Sequence, residues 1–424
     1  MAGAIALRGS FSVGPERSLN RPNAMSSPGT PGSDGREHEP VVLVANARMP
    51  SLRAQSLQVA QATTAFARAG AAATLLYARR HGTEELAAQE LWKHYGVRDS
   101  GGAEAQSVPC FDWIDRSPRR LQFVPARLQE LSFAARAARL VQRDYSGARV
   151  LSRELETARA LRRRPGVFIE LHRVPGGRLR RRWLIQAAAS CAGIVAISGG
   201  VREDLVGLGV DPESILVEHD AYDPDRYGEP PRKAAARERL GLDPDARIVV
   251  YTGGLLRWKG VDVLVEAAKQ LAGDVQVVIA GGMEADVERL RIRAAGVENV
   301  RIDGFRPAEL VPFYLAAGDV GVVPNRAKPA ISARYTSPLK VFEATAVGLP
   351  LVVSDLPSMR DILSEQRATF VTPEDPDPLA RGLMQVLDSA ERLSEMKAAQ
   401  LSAAEGCTWD ARARRILDWM ETRA

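Results

Sequence analysis

Cysteine is scarce in this chain: Cys110, Cys191 and Cys407 are the only three in 424 residues. They are too few and too scattered for a disulfide framework or a metal cluster, and they suit a reducing cytosol. Histidine is scarce too, and the five present show no metal-ligand spacing. No apolar run approaches the roughly 20 residues that span a bilayer. No nucleic-acid-binding module is visible, so no nucleic-acid partner is expected. What is present is the composition of a globular protein, 45% hydrophobic and 26% charged. At this length one core is not enough, and two domains are expected.

Charge is divided unevenly. Residues 41–200 carry a net charge of +13, and residues 201–424 one of −8. The basic half contains Arg162-Arg163-Arg164 and Arg178-Leu179-Arg180-Arg181-Arg182-Trp183. A basic surface with a neighbouring Trp suits docking on an anionic membrane; the plainer reading is a set of solvated helix faces. Residues 1–40 are rich in Gly, Pro, Ser and Arg, have no hydrophobic period, and are expected to be a disordered tail. Ala2 to Leu7 is too short for a signal-peptide core, and Met25 is a second candidate start.

Folded structure is expected from the apolar run 41–46, which reads as a buried parallel strand. A loop at 47–51, a helix at 52–69 and a strand at 73–77 complete a β-α-β unit. Alternation resumes with strands at 167–171 and 193–198 and helices at 180–189 and 201–208. Residues 80–150 read as helices and loops without a clear order. A second series has strands at 247–252, 276–280, 299–303, 319–323, 350–354 and 369–371. Its helices fall at 260–271, 284–295, 307–316, 338–347, 357–363 and 376–389. Two alternating series predict an α/β protein of two Rossmann-like, doubly wound domains, 41–228 and 229–405, with a linker at 222–234. A last helix at 406–424 either returns to the first domain or packs on its own. Ligands of open α/β sheets bind beyond the carboxyl ends of the strands, which makes the cleft between the domains the default site.

Two segments carry chemistry. In Tyr251-Thr252-Gly253-Gly254-Leu255-Leu256-Arg257-Trp258-Lys259-Gly260, two glycines end a strand and a lysine precedes a helix. Glycines let the backbone approach a phosphate, and a helix N-terminus favours negative charge. In Ser337-Pro338-Leu339-Lys340-Val341-Phe342-Glu343, a loop runs into a helix whose first free amides, on Leu339 and Lys340, can take a phosphate. Glu343 lies one turn in, where a carboxylate can accept hydrogen bonds from ribose hydroxyls. Each segment alone reads as an ordinary turn or a helix-dipole acid; together they describe a site for a sugar nucleotide.

The pair resembles the donor site of family-four retaining glycosyltransferases, the glycosyl transferases group 1, which have the GT-B fold. The resemblance extends over residues 41–424 and is weakest at 80–150. It implies phosphate contacts from Gly253, Gly254, Arg257, Lys259, Ser337, Leu339 and Lys340, and a base contact near Gly304-Phe305-Arg306. The segment Arg48-Met49-Pro50-Ser51-Leu52-Arg53 resembles the family's first cleft-facing loop, which places Arg48 and Arg53 on the acceptor side. The strand end Glu170-Leu171-His172 resembles the place of a histidine near acceptor and donor sugar, and Ser198 opens the next β-α unit. His219-Asp220-Ala221-Tyr222-Asp223 is a partial match with no role assigned. The chain departs from the pattern twice: Gly254 stands where relatives carry a second phosphate-binding arginine, and Tyr335 where they carry the first of two glutamates.

The function the resemblance implies is transfer of a sugar from a nucleotide diphosphate sugar to a hydroxyl acceptor, a glycan or lipid-linked sugar, in envelope or surface glycan synthesis. His172, Lys259 and Glu343 are the expected catalytic residues. The family implies retention by front-face departure and attack. No Asp-x-Asp pair sits suitably at a strand end, so no metal and no cofactor beyond the nucleotide-sugar co-substrate is expected. The expected place is cytoplasmic, peripheral to the inner face of the membrane. Two other readings stay open. A sugar-nucleotide 2-epimerase shares the fold but needs more carboxylates and histidines in the cleft. A catalytically weak sugar-nucleotide-binding scaffold is suggested by the two departures.

Overall fold

The computed structural model describes residues 38–51 and 53–423. Of the expected tail, residues 1–37 lie outside the described residues, as does Leu52 of the first loop. His38, Glu39 and Pro40 are not tail: they begin the first strand, where His38 pairs with Ala71 and its ring meets the Glu421 carboxylate at 2.6 Å. Their polar composition hid a strand end that is satisfied by pairing rather than by burial.

The first sheet contains β1 (His38–Arg48), β2 (Ala71–Arg79), β3 (Glu104–Pro109), β4 (Arg149–Ser152), β5 (Val167–Leu171), β6 (Gly193–Ala196) and β7 (Ile215–Val217). Its spatial order is β3-β2-β1-β4-β5-β6-β7, every pair parallel. The second contains β8 (Arg247–Thr252), β9 (Val275–Ala280), β10 (Val300–Gly304), β11 (Val320–Val323), β12 (Leu351–Ser354) and β13 (Ala368–Val371), in the order β10-β9-β8-β11-β12-β13, again all parallel. Both sheets are doubly wound, with the chain reversing its direction of travel between β1 and β4 and between β8 and β11.

Each sheet is covered on both faces, which is why its strands read as unbroken apolar runs. Alternate residues of β1 show this: Val41, Leu43 and Ala45 enter one core, while Val42 and Val44 enter the other. The second sheet divides likewise, with Val249 and Tyr251 on one face and Ile248 and Val250 on the other. In the formerly unordered stretch 80–150 lie the helices Ala88–His94 and Phe123–Asp144 around β3. β3 is an edge strand with a polar, half-buried sequence, so it leaves no apolar signal.

The chain crosses between the domains twice, side by side. Tyr222 donates its amide to the Cys407 carbonyl at 3.0 Å and accepts from the Trp409 amide at 3.1 Å. The helix Trp409–Glu421 then packs on the helix Ala54–Arg68, and Trp409, Ile416, Leu417 and Met420 are buried in the first domain's core. Each such side chain contributes about 1.5–3 kcal/mol. Arg68 adds a two-pronged bond to Asp410, at 2.9 and 2.6 Å.

Candidate active site

The carboxyl ends of the two sheets face each other. Residues just beyond β6 and β7 meet residues from the loops after β11 and β12. Ser198 donates its hydroxyl to the Arg334 carbonyl at 2.9 Å, and Ser337 Oγ accepts the Asp220 amide at 2.8 Å. Arg334 reaches Glu203 and Asp204 at 3.0 and 2.9 Å, and the Tyr335 hydroxyl bonds Asp204. The His219 ring lies 3.8 Å from Asp361.

On the donor side, β8 is followed by Gly253, whose φ of +123° suits only glycine; a Cβ there would sit 3.3 Å from Lys340 Nζ. The 3-10 turn Arg257–Lys259 leads to Gly260, where φ is +66° and a Cβ would stand 1.8 Å from the Pro324 carbonyl oxygen, so no other residue fits. The glycines thus bring three segments to one place: the end of β8, the loop after β11, and the head of the helix Leu339–Val347.

Two lysines converge there. Burial lowers the Lys259 ammonium to about 8, and its Nζ lies 3.9 Å from the centre of the Trp258 ring. Lys340 Nζ is shut from solvent, 3.4 Å from the centre of the Tyr251 ring, and has no hydrogen-bond partner among the described residues. Burial, reinforced by the charge of Lys259 and opposed by Glu343, holds Lys340 well below the ordinary lysine value. A cation kept dry and unpaired beside a second cation, at a helix N-terminus, is an arrangement that an anion relieves. Sequence reading took only the backbone amide of Lys340; its ammonium was missed. The available signal was a lysine in the first turn of a helix, where a cation opposes the dipole.

Glu343 projects one turn further along. Its Oε1 accepts the Tyr227 hydroxyl at 2.8 Å, while the other oxygen accepts no hydrogen bond among the described residues. Burial raises its pKa, against Tyr227, Arg226 and Lys340. Tyr227 closes the short helix Pro224–Tyr227 between the domains, in the segment expected to be plain linker.

The remaining donor-side residues are scattered more widely. Gly254 is exposed, and its carbonyl accepts the Tyr251 hydroxyl at 2.6 Å. Arg257 is exposed and contributes its carbonyl to Arg326 Nε at 3.1 Å. Arg326 lies 3.7 Å from where a Cβ of Gly260 would stand and is bound to Asp262 at 2.6 Å. Gly304, Phe305 and Arg306 lie at the end of the edge strand β10, beyond β9; Phe305 is exposed, and Arg306 Nε bonds the Tyr314 hydroxyl at 3.1 Å. Leu339, at the helix head, is half-buried.

The first domain contributes a buried charge network. Glu170, at the end of β5, contacts Arg412 at 3.1 Å, Arg153 at 3.4 Å and His172 Nε2 at 2.8 Å. Burial would raise Glu170, but Arg412 and Arg153 overcome it and keep the carboxylate well below its ordinary value. Burial and then Arg153 push His172 down to about 4, so its imidazole is neutral at pH 7. Asp220, raised by burial to about 7, is held by Gln58 at 2.7 Å. The hydrogen bond from its backbone N–H to Ser337 Oγ links this network to the donor side. Arg412 comes from the last helix and also donates to the His219 carbonyl at 2.7 Å. Nothing local in the sequence marks Arg412, because its partners lie about two hundred residues away in the chain.

The three residues expected on the acceptor side differ in their surroundings. Ser198 is fully buried and caps the helix Gly199–Gly207, accepting the Val201 amide at 3.3 Å, so it bridges the domains rather than facing an acceptor. Arg48 pairs with Asp115, with its Nε buried and without a partner among the described residues. Arg53 is exposed at the start of the helix Ala54–Arg68. Ser337, expected on the donor, is buried and occupied by Asp220. A cavity of about 950 Å³ lined by Trp92, Lys93, Arg226 and Phe313 lies beside the linker, and of the residues around the donor side it shares only Arg226.

Comparison with known proteins bears on the second domain and on the fold. Residues 246–389 match the family described as "Glycosyl transferases group 1". D-inositol 3-phosphate glycosyltransferase 1 of Catenulispora acidiphila is 30% identical over 241 residues, 53% of this chain and 56% of that protein. Alpha-D-kanosaminyltransferase of Streptomyces kanamyceticus is 33% identical over 183 residues, 41% and 45% of the two chains. The chain therefore spans about half the length of the curated relatives it matches. Among solved structures, Anabaena HepE in complex with UDP and glucose superposes with a TM-score of 0.68 at 15% identity, over 91% of this chain and 100% of that one. Sucrose-phosphate synthase from Thermosynechococcus elongatus gives 0.70 at 17% identity, over 91% and 98%. Residues 246–389 are thus similar to the glycosyl transferases group 1, in a chain with the two-domain GT-B fold.

Proposed function

We propose that the protein is a retaining, family-four glycosyltransferase that moves a sugar from a nucleotide diphosphate sugar to a hydroxyl acceptor. The observation that carries this reading is the buried, unpartnered ammonium of Lys340 beside Lys259 at a helix head, with Glu343 one turn on. The names of the relatives, an inositol phosphate glycosyltransferase and a kanosaminyltransferase, support a hydroxyl acceptor. The solved HepE complex with UDP supports a nucleoside diphosphate.

In this reading the bond between the sugar's anomeric carbon and the β-phosphate oxygen breaks, and negative charge grows on the departing diphosphate. Lys259, Lys340 and the amides of Leu339 and Lys340 stabilise it without a metal ion. Glu343 accepts from the ribose hydroxyls. The acceptor oxygen attacks the anomeric carbon from the face that the diphosphate leaves, and its proton passes to the diphosphate oxygen. His172, neutral and fixed by Glu170, orients the acceptor or the donor sugar by hydrogen bonding rather than by charge. Domain closure excludes water from the site. The place of action is the cytoplasmic face of a membrane, on a glycan or lipid-linked sugar.

The test is turnover of UDP-, GDP-, ADP- and dTDP-sugars with candidate polyol, glycan and lipid-linked acceptors, in EDTA. Transfer with retained anomeric configuration from one donor, lost in Lys340→Met and Glu343→Gln, is expected. Transfer that requires a divalent ion or inverts the configuration would overturn the mechanism, and donor binding without any turnover would assign the protein to the scaffold class.

A further inference from the structure

We propose that the face formed by residues 111–131 and the helix Arg178–Ala188 binds anionic lipid directly and holds the mouth of the cleft against a membrane surface. Seven of the sixteen large hydrophobic side chains exposed among the described residues fall within 111–131. Trp113 is 56% and Phe123 68% exposed, and Leu121, Val124, Leu128 and Leu131 stand open beside them. Val124, Leu128 and Leu131 are spaced as one stripe along the helix Phe123–Asp144, opposite the face that buries Gln129, Phe133 and Val141. Phe111 packs on Trp113 with ring centres 4.7 Å apart, and so many open apolar side chains in one short segment mark an interaction site rather than an ordinary exterior.

What covers it is indicated by charge. The acids of the segment are already neutralised: Asp112 by Arg80 at 2.8 Å, Asp115 by Arg48, and Glu130 by Arg127. The neighbouring helix carries Arg178, Arg180, Arg181 and Arg182 and no acid. The two helices share one face, because Glu156 between them takes Arg180 at 2.8 Å and Arg127 at 3.8 Å. Arg120, Arg178, Arg181 and Arg182 have no acidic partner among the described residues and are exposed. Open apolar side chains on one helix and unpaired guanidinium groups on another, joined through Glu156, fit a layer with an anionic surface and a hydrocarbon interior. The tryptophan that the sequence singled out, Trp183, is not the anchor: it is half-buried with the Arg159 guanidinium 4.8 Å from its ring centre. The Arg48–Asp115 pair ties the loop to the end of β1, so the face lies at the acceptor end of the cleft.

The experiment is co-sedimentation of the full chain with phosphatidylcholine vesicles, with and without 30% phosphatidylglycerol, at low and high salt. Binding to the anionic vesicles that weakens in high salt is expected. A Trp113→Ser/Phe123→Ser variant and an Arg181→Glu/Arg182→Glu variant should each bind at least tenfold more weakly, with unchanged far-UV circular dichroism. Equal binding to both vesicle types, or binding unchanged in both variants, overturns the proposal. No vesicle binding, together with self-association in the ultracentrifuge that the same variants abolish, would assign the face to a second copy of the chain instead. Vesicle binding needs neither donor nor acceptor, so its failure leaves the transfer reading standing.

Discussion

Replacing Lys340 by methionine should change stability and ligand affinity in opposite directions. In the free protein the Nζ is dry and unpartnered over the Tyr251 ring, with Lys259 nearby. An unsatisfied buried polar group costs about 1–3 kcal/mol. Methionine keeps the length and the ring contact and removes that cost, so the free variant should be more stable by about 1–2 kcal/mol. In a domain of this size that raises the melting temperature by roughly 2–8 °C. The diphosphate loses a charge-assisted contact worth about 1.5–3 kcal/mol, which is roughly ten- to 150-fold in affinity. The assay is thermal melting of both proteins across a series of nucleoside diphosphate concentrations. The wild type should melt lower than the variant without ligand and gain more with it. A variant that melts lower than wild type without ligand and gains as much from the nucleotide would refute the assignment of Lys340 as an unmet cation.

Arg412→Met leaves Glu170 buried without its nearest countercharge, which should cost about 3–5 kcal/mol in urea denaturation; adding Glu170→Gln should restore much of the stability but not turnover, and a silent Arg412→Met would remove the last helix from the account. Lys259 titrates near 8 in the folded protein and near 10.4 unfolded. Its stability penalty is therefore present in full below pH 8 and is relieved as pH rises toward 10, because the unfolded chain holds the extra proton in that window. Diphosphate affinity runs the other way and should fall above pH 8, by up to tenfold per unit, with Lys259→Arg flattening the profile in a fluorescence titration. Tyr335→Phe and Asp204→Asn each remove a contact across the cleft; exposed pairs are worth at most about 1 kcal/mol, so the expected effect is a larger radius of gyration by X-ray scattering without a drop in melting temperature, and an unchanged radius would argue against a latch.

Much of the second domain was legible in the sequence because its strands are buried on both faces. The predicted strand 247–252 matches β8 in both ends, and the run 276–280 falls one residue short of β9. The helix after Pro338 was placed within one residue, since proline and a following αL glycine, Gly348, mark both ends. The helix Ala390–Ala404 was missed because it buries few side chains, chiefly Met396 and Gln400, and so has little hydrophobic period. The helix Phe123–Asp144 was blurred for the opposite reason: its exposed face is as apolar as its buried one. In the candidate site, Gly253, Lys259 and Glu343 were singled out by local rules, and the structure sets all three around Lys340. Those defined by long-range packing, Arg412 on Glu170 and Tyr227 on Glu343, leave no local trace.

The most direct test of the central claim is isothermal titration of the full chain with UDP, GDP, ADP and dTDP at pH 8, in two buffers of different ionisation enthalpy. Because Lys340 is held well below its ordinary value and Lys259 near 8, binding a diphosphate should draw protons onto the site. The account predicts that one nucleotide binds with net proton uptake, and that in Lys340→Met most of the affinity disappears and the uptake falls to the share of Lys259. Binding without proton uptake, or uptake and affinity unchanged in Lys340→Met, would contradict it.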